Sequence, residues 1–136
     1  MSLSRLGNGP PRFVLVVEDN LDGRETLRTL LELFGHHVEA AEDGIEGVQK
    51  ALAHHPDVAL IDLGLPRLDG FEVARQIRAA LGGKVKLIAH TAYDQPETSQ
   101  RIREAGFDAH LVKPVNLELL LGWLEERQTE AENSSV

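Results

Sequence analysis

The chain has 136 residues and no cysteine, so neither a disulfide framework nor a thiolate metal site can form. Apolar residues make up 42% and charged residues 26%, which is typical of one soluble globular domain. The net charge of -8 argues against a nucleic-acid-binding surface, which needs a basic face. No apolar run could span a bilayer or act as a signal peptide. A cytoplasmic protein without a direct nucleic-acid or membrane partner is therefore expected.

The two ends of the chain differ in composition from its middle. Residues 4–12 are rich in glycine and proline, and residues 127–136 are polar and end in a run of small side chains. We therefore predict a flexible lead-in over residues 1–11, one domain over residues 12–126, and a flexible tail or linker over residues 127–136.

The first half of this domain alternates two strands with two helices. The apolar run at residues 13–17 is typical of a strand buried on both faces. A helix follows, with Asn20 as its N-cap and Gly35 after its last turn. Its apolar stripe consists of Leu27, Leu30, Leu31 and Phe34. Residues 38–41 are half polar, as in an edge strand. A second helix stripe then consists of Ile45, Val48 and Leu52.

The second half continues the alternation with three strands and three helices. A buried strand at residues 58–61 precedes a helix with the stripe Phe71, Ala74, Ile77 and Leu81. The apolar run at 85–89 predicts a fourth strand, and residues 96–105 a helix whose apolar face holds only Ile102 and Ala105. Residues 111–112 form a short fifth strand. The last helix has Asn116 as its cap and the stripe Leu117, Leu120, Leu121 and Leu124.

Five strands alternating with five helices predict an α/β domain with a parallel sheet and helices on both faces. The common doubly wound, flavodoxin-like strand order for this number of strands is 2-1-3-4-5. That order suits the chain, because strand 2 is the least apolar and strand 5 the shortest, and both then lie at edges.

Reactive side chains follow four of the predicted strands. Glu18 and Asp19 follow strand 1, Asp62 ends strand 3, Thr91 follows strand 4, and Lys113 follows strand 5. Ligands of such folds bind beyond the carboxyl ends of the strands, where these groups converge. Each residue alone could be a helix cap, a turn residue or a solvated charge. Complementary groups at four strand ends together favour a functional site.

The charges of this site predict a cation. Two carboxylates about 4 Å apart repel by about 4 kcal/mol at an effective dielectric of about 20, and here three converge. Lys113 supplies one positive charge, and a divalent ion would supply the rest. Oxygen ligands in small number suit Mg²⁺ better than calcium or zinc. A carboxylate beside Mg²⁺, such as Asp62, can attack phosphorus, while Lys113 and Thr91 stabilise the phosphoryl oxygens.

The motifs resemble those of the bacterial two-component response-regulator receiver domain over residues 12–126. They are Val-Val-Glu-Asp-Asn at 16–20, Leu-Ile-Asp-Leu-Gly-Leu-Pro at 60–66 with Asp-Gly at 69–70, His-Thr-Ala at 90–92, and Val-Lys-Pro at 112–114. The resemblance implies that Asp62 accepts a phosphoryl group from a histidine kinase or a histidine phosphotransfer protein. It also implies Mg²⁺ bound by Asp19, Asp62 and the carbonyl of Gly64, with Glu18 acting mostly through water.

Two histidines depart from the family's commonest pattern. His110 stands where the family usually has tyrosine or phenylalanine, and His90 stands where an apolar residue is common. We predict that Thr91 moves toward the phosphoryl group and that His110 turns into the vacated space, so that both form the switch. Tyr93 is predicted to lie near the site and to limit attack by water.

Two other readings compete with the receiver. An aspartyl-nucleophile, Mg²⁺-dependent phosphatase has a D-x-D signature, but Gly64 stands where its second acid would be. A dinucleotide-binding domain needs G-x-G-x-x-G after strand 1, and residues 18–23 lack it. The sequence looks more like receivers fused to kinases than like DNA-binding regulators, which favours a piece of a hybrid kinase or a larger regulator.

Two predictions concern the surface. Leu119 and Trp123 lie one helical turn apart, away from the apolar stripe of the last helix, and predict an exposed docking or homodimer surface. The histidine pairs at 36–37 and 54–55 flank helix ends, and we predict them to be solvated loop residues rather than metal ligands.

Overall fold

The computed structural model describes residues 10–92 and 96–134, with side chains described as far as Glu125. Five parallel strands form one sheet in the order β2-β1-β3-β4-β5, which confirms the predicted fold. The strands are β1 Phe13–Val17, β2 His37–Ala41, β3 Val58–Asp62, β4 Lys86–Thr91 and β5 Ala109–Val112. The predicted lead-in lies almost wholly outside the described residues.

Five helices cover the two faces of the sheet. They are α1 Leu21–Leu33, α2 Gly44–His54, α3 Gly70–Leu81, α4 Pro96–Glu104 and α5 Leu117–Ser134, with a 3-10 turn at Gly82–Lys84. Helices α1 and α5 pack on one apolar cluster and α2, α3 and α4 on the other. Within the described part of the chain, no helix is both long and apolar enough to cross a membrane.

Side-chain caps fix where the helices start. The Oδ1 atom of Asn20 accepts a hydrogen bond of 2.8 Å from the Gly23 N–H, as predicted for the start of α1. Asp69 caps α3 in the same way, through a bond of 2.9 Å from the Glu72 N–H. Both caps lie shortly after strands that carry predicted site residues, so they hold the loops around the site.

Helix α2 contacts the sheet through small residues, which corrects the predicted stripe. Ile45 and Leu52 are exposed, and the buried residues are Gly44, Gly47, Val48 and Ala51. A Cβ atom at position 47 would lie 2.9 Å from the Val17 side chain. The helix therefore lies too close to β1 for large side chains to fit between them.

Gly70 permits a close approach behind the strand that carries Asp62. A Cβ atom at this position would collide with the main-chain oxygen of Asp62 and would lie 2.7 Å from the Cα atom of Leu63. The Gly70 N–H also donates a hydrogen bond of 3.1 Å to the Leu63 oxygen. The first turn of α3 thus rests directly on the main chain at the end of β3.

The last helix differs from its prediction in two ways. Trp123 is half-buried and packs against the protein's own core, with the ammonium group of Lys86, a residue of β4, 4.5 Å from its ring centroid. Only Leu119 of the predicted exposed pair stays largely exposed, at 57%. The helix also continues to Ser134, through most of the predicted tail, because residues 125–132 are good helix formers apart from Thr129. The domain boundary at 126 stays a prediction.

One of the histidines predicted to be solvated is buried. The Nδ1 atom of His36 accepts a hydrogen bond of 3.0 Å from the Arg12 N–H. Burial, together with the nearby Arg12 guanidinium, lowers the pKa of His36. The sequence prediction was wrong here because His36 lies just before β2, beside the residue that precedes β1, and the contact with Arg12 buries it.

Candidate functional site

Three carboxylates meet at the carboxyl ends of β1 and β3. Glu18, Asp19 and Asp62 each offer an oxygen, and these oxygens lie within 4.8 Å of one another. Glu18 and Asp62 are only 3% and 7% exposed, whereas Asp19 is exposed. The predicted acidic residues are therefore brought together, with one side open to solvent.

The register of the sheet explains this convergence. Val17 pairs with Ile61, so that Glu18 and Asp62, the next residues along each strand, lie side by side. The Glu18 N–H donates a hydrogen bond of 3.0 Å to the Ala41 oxygen, and this bond holds the end of β1 against β2. The Oδ1 atom of Asp62 accepts a bond of 3.1 Å from the Gly64 N–H, which orients the carboxylate.

Lys113 provides the positive charge at the site. Its Nζ atom lies 3.2 Å from Asp62 Oδ2 and 3.2 Å from Glu18 Oε1. The backbone N–H of Lys113 donates a hydrogen bond of 2.8 Å to the backbone carbonyl oxygen of Thr91. A cis peptide bond joins Lys113 to Pro114. Burial by itself would lower the pKa of Lys113, but attraction to Asp62 and Glu18 outweighs it and the pKa is raised.

The charges of the site are not balanced and favour a bound cation. Burial and the neighbouring Asp62 raise the pKa of Glu18, although a hydrogen bond of 3.1 Å from the Asn20 N–H acts in the opposite direction. One ammonium group faces three carboxylates, so a negative charge remains uncompensated. A compact set of carboxylate oxygens with an excess of negative charge fits a small divalent ion such as Mg²⁺.

The remaining predicted residues lie around this centre. Thr91 ends β4 and is buried, and Gly64 is exposed in the loop after β3. His110 is half-buried and pairs with Ala89, so it lies on the same face of the sheet as Thr91. Tyr93 lies outside the described residues.

His90 is part of the site's surroundings, and the sequence did not assign it a role in the site. It pairs with Asp62 across the sheet, is 6% exposed, and its Nδ1 atom lies 3.9 Å from Glu18 Oε1. Burial, with a contribution from the Lys113 charge, lowers the pKa of His90 to about 4. The available signal was its departure from the apolar residue expected on the inner face of a buried strand.

Comparison with known proteins agrees with this geometry. The family model of the response regulator receiver domain matches residues 14–125. Response regulator MprA of Mycobacterium sp. (strain KMS) is 41% identical over 113 residues, which are 82% of this chain and 48% of that protein. MprA of Mycobacterium bovis (strain BCG / Pasteur 1173P2) is 38% identical over 126 residues, 90% of this chain and 54% of that protein. The chain thus spans about half the length of the curated relatives that it matches.

Solved structures give the same assignment. A CheY-like receiver domain from Methanospirillum hungatei JF-1 has a TM-score of 0.83 and 31% identity, covering 92% of this chain and 99% of its own. A second similar structure is the receiver domain of the sensor histidine kinase PA1611 from Pseudomonas aeruginosa PAO1, which has magnesium in its active-site cleft. Its TM-score is 0.75 and its identity 32%, and the match covers 87% of this chain and 97% of that domain. From its strand order, its acidic site and these likenesses, the chain belongs to the response regulator receiver domain family of two-component signalling.

Proposed function

We propose that the domain accepts a phosphoryl group on Asp62, with Mg²⁺ bound at the acidic cluster, and passes the signal on through a partner-binding face. The observation that carries this proposal is the contact of the Lys113 ammonium with both Asp62 and Glu18, 3.2 Å from each. A buried carboxylate held by a cation and next to further carboxylates is suited to attack an anionic phosphoryl donor once a metal ion is present.

Asp19, Asp62 and the carbonyl of Gly64 would hold Mg²⁺, with Glu18 acting through water. The bound ion would neutralise charge on the incoming phosphoryl group. In the transfer, an oxygen of Asp62 forms a bond to phosphorus while the bond from phosphorus to the donor's histidine nitrogen breaks. Lys113 then neutralises the phosphoryl oxygens, and the Thr91 hydroxyl donates a hydrogen bond to one of them.

The donor is proposed to be a histidine kinase or a histidine phosphotransfer protein. The similar PA1611 domain is the receiver of a sensor histidine kinase, and the MprA relatives are response regulators of which this chain matches about half the length. Both kinds of relative support a role as one module of a larger signalling protein or system. A homodimer through α5 would have to centre on Leu119, since Trp123 packs against its own core.

With Mg²⁺ and acetyl phosphate, the domain should gain the mass of one phosphoryl group, and removal of Mg²⁺ by a chelator should prevent this. The bond should be broken by hydroxylamine, as expected of an acyl phosphate. Mass spectrometry of the intact protein measures both results. Labelling that is equal with and without Mg²⁺ would contradict the proposed metal site.

The phosphatase reading has no support from the comparisons. Gly64 offers no carboxylate at the position where such enzymes carry the general acid, so the domain should release its own phosphate only slowly. Sustained hydrolysis of many equivalents of a phosphate ester such as p-nitrophenyl phosphate would favour the enzyme instead. Without such turnover, the domain at most phosphorylates itself from small donors and dephosphorylates itself.

Thr91 and His110 are proposed to carry the switch, because they lie on one face of adjacent strands. A phosphoryl group on Asp62 would draw Thr91 toward it, and His110 would turn into the space that Thr91 leaves. A charged imidazole would disfavour the partly buried, inward position, and phenylalanine cannot gain a charge, so acidification should weaken partner binding by the beryllofluoride-activated protein more than binding by His110→Phe. Equal pH profiles between weakly acidic and weakly basic conditions would remove His110 from the switch.

A further inference from the structure

His90 lies in the same row of side chains as the acidic site. It pairs with Asp62 across β3 and β4, and Glu18 lies beside Asp62 on the other flank. Paired residues of parallel strands point to the same face of the sheet. This is the face that α1 and α5 cover, since the residues two positions earlier on the three strands belong to their apolar cluster: Val16, Leu60 and Ile88.

The surroundings of the imidazole decide which of its nitrogens carries the proton. Burial keeps the ring neutral, so it has one N–H. Nε2 is buried and has no hydrogen-bond partner among the described residues, whereas Nδ1 lies 3.9 Å from Glu18 Oε1. A buried N–H without an acceptor is costly, and an ionised carboxylate can only accept. The proton therefore belongs on Nδ1, next to the Glu18 carboxylate.

Lys113 cannot serve both Glu18 and a phosphoryl group equally well. Its Nζ atom lies 3.2 Å from Glu18 Oε1 and 3.2 Å from Asp62 Oδ2. A phosphoryl group on Asp62 adds negative charge beyond that carboxylate and draws the ammonium away from Glu18. Glu18 is only 3% exposed, and a buried carboxylate that loses its cation is strongly destabilising unless another donor replaces it.

We propose that His90 is a positioning residue of the phosphorylated site, whose Nδ1–H donates a hydrogen bond to Glu18 when Lys113 turns to the phosphoryl group. The inference rests on the proposed function, because it takes phosphorylation of Asp62 as given. The separation of 3.9 Å is about 1 Å longer than a hydrogen bond to a carboxylate, so a small rotation of either side chain closes it. Glu18 then keeps its charge and its place in the acidic cluster.

Calorimetric titration with Mg²⁺, with and without beryllofluoride, tests this role. It measures how much more tightly the protein binds the ion once the phosphoryl analogue is present. In His90→Leu this gain in affinity should be at least about tenfold smaller than in the unchanged protein, the effect of one hydrogen bond to a charged group. A side chain that only fills space would change Mg²⁺ binding by the same factor in both conditions, and the gain would stay the same.

Two further variants separate a hydrogen-bond donor from a space-filling group. The amide of asparagine reaches the place of Nδ1, whereas the amide of glutamine extends to the place of Nε2. We expect His90→Asn to restore most of the gain and His90→Gln to restore little of it. In the unchanged protein, long-range ¹H–¹⁵N spectra should show the Nδ1 proton of His90 moving downfield when Mg²⁺ and beryllofluoride are added.

The outcomes distinguish this inference from the proposed function. If beryllofluoride gives the unchanged protein no gain in Mg²⁺ affinity, the proposed function fails and the role of His90 fails with it. If the gain is present but equal in His90→Leu, or if glutamine restores it as well as asparagine does, only the role of His90 is refuted. A Nδ1 proton that does not move refutes it too, and this measurement requires no variant to fold.

Discussion

Asp62→Asn should abolish phosphorylation of the protein by acetyl phosphate, whereas the unchanged protein gains one phosphoryl group. An amide oxygen is a poor nucleophile, and the variant also removes a carboxylate from the oxygens that would hold Mg²⁺. The fold should persist, because asparagine keeps the shape of the side chain and an oxygen that can accept the hydrogen bond from the Gly64 N–H. The measurement is the mass of the intact protein after incubation with Mg²⁺ and the donor.

Asp22→Asn is the matched control for this experiment. Asp22 is an exposed acid in the first turn of α1, near the site but outside the cluster of three carboxylates. Its variant should be labelled as fast as the unchanged protein, to within about twofold, since the charge that is lost is exposed to solvent and screened by salt. Labelling of Asp62→Asn at the rate of this control would refute Asp62 as the acceptor.

In the metal-free protein, acidification from pH 6.5 to about 4 should reduce the free energy of unfolding through His90. The pKa of His90 is lowered in the folded state, so the folded protein keeps this ring neutral while the unfolded chain takes up a proton. The stabilisation is therefore complete above about pH 6.5 and is lost as the pH falls toward 4. A difference of between two and three pKa units corresponds to about 3 kcal/mol.

Urea unfolding at several pH values, with a chelator present, measures this loss. His90→Leu should remove it, because leucine fits an apolar strand and does not titrate. His54→Gln, a change at an exposed histidine, should keep the pH dependence of the unchanged protein. If the curves of all three proteins run parallel, then His90 is not held neutral by burial.

Most of the fold followed from the sequence because its signals are strong and local. Continuous apolar runs located the buried strands, and the cap at Asn20 located the start of α1. The site followed as well, because parallel strands carry their carboxyl ends to one edge. Glu18, Asp62 and Lys113, far apart along the chain, could therefore be assigned to one place, where the structure has them.

The predictions that were wrong concern packing that hydrophobicity does not indicate. Helix α2 was predicted to face the sheet with Ile45, Val48 and Leu52. Gly47 instead allows the helix to approach β1 so closely that large side chains such as Ile45 and Leu52 do not fit between them. Trp123 was predicted to be exposed from its helical spacing. It instead contacts Lys86 of β4, a strand that is far from it along the chain. Burial of His36 likewise depends on Arg12, a contact between segments that no local pattern specifies.

The contact between Gly70 and the main chain of Asp62 has a mechanical consequence for signalling. Protein interiors have low compressibility, so two elements whose main chains touch without an intervening side chain transmit displacement to each other. The end of β3 and the first turn of α3 should accordingly move together as one rigid unit behind Asp62. Structural adjustment to a phosphoryl group would then have to occur on the opposite flank, at the ends of β4 and β5, which carry Thr91 and lead into Lys113.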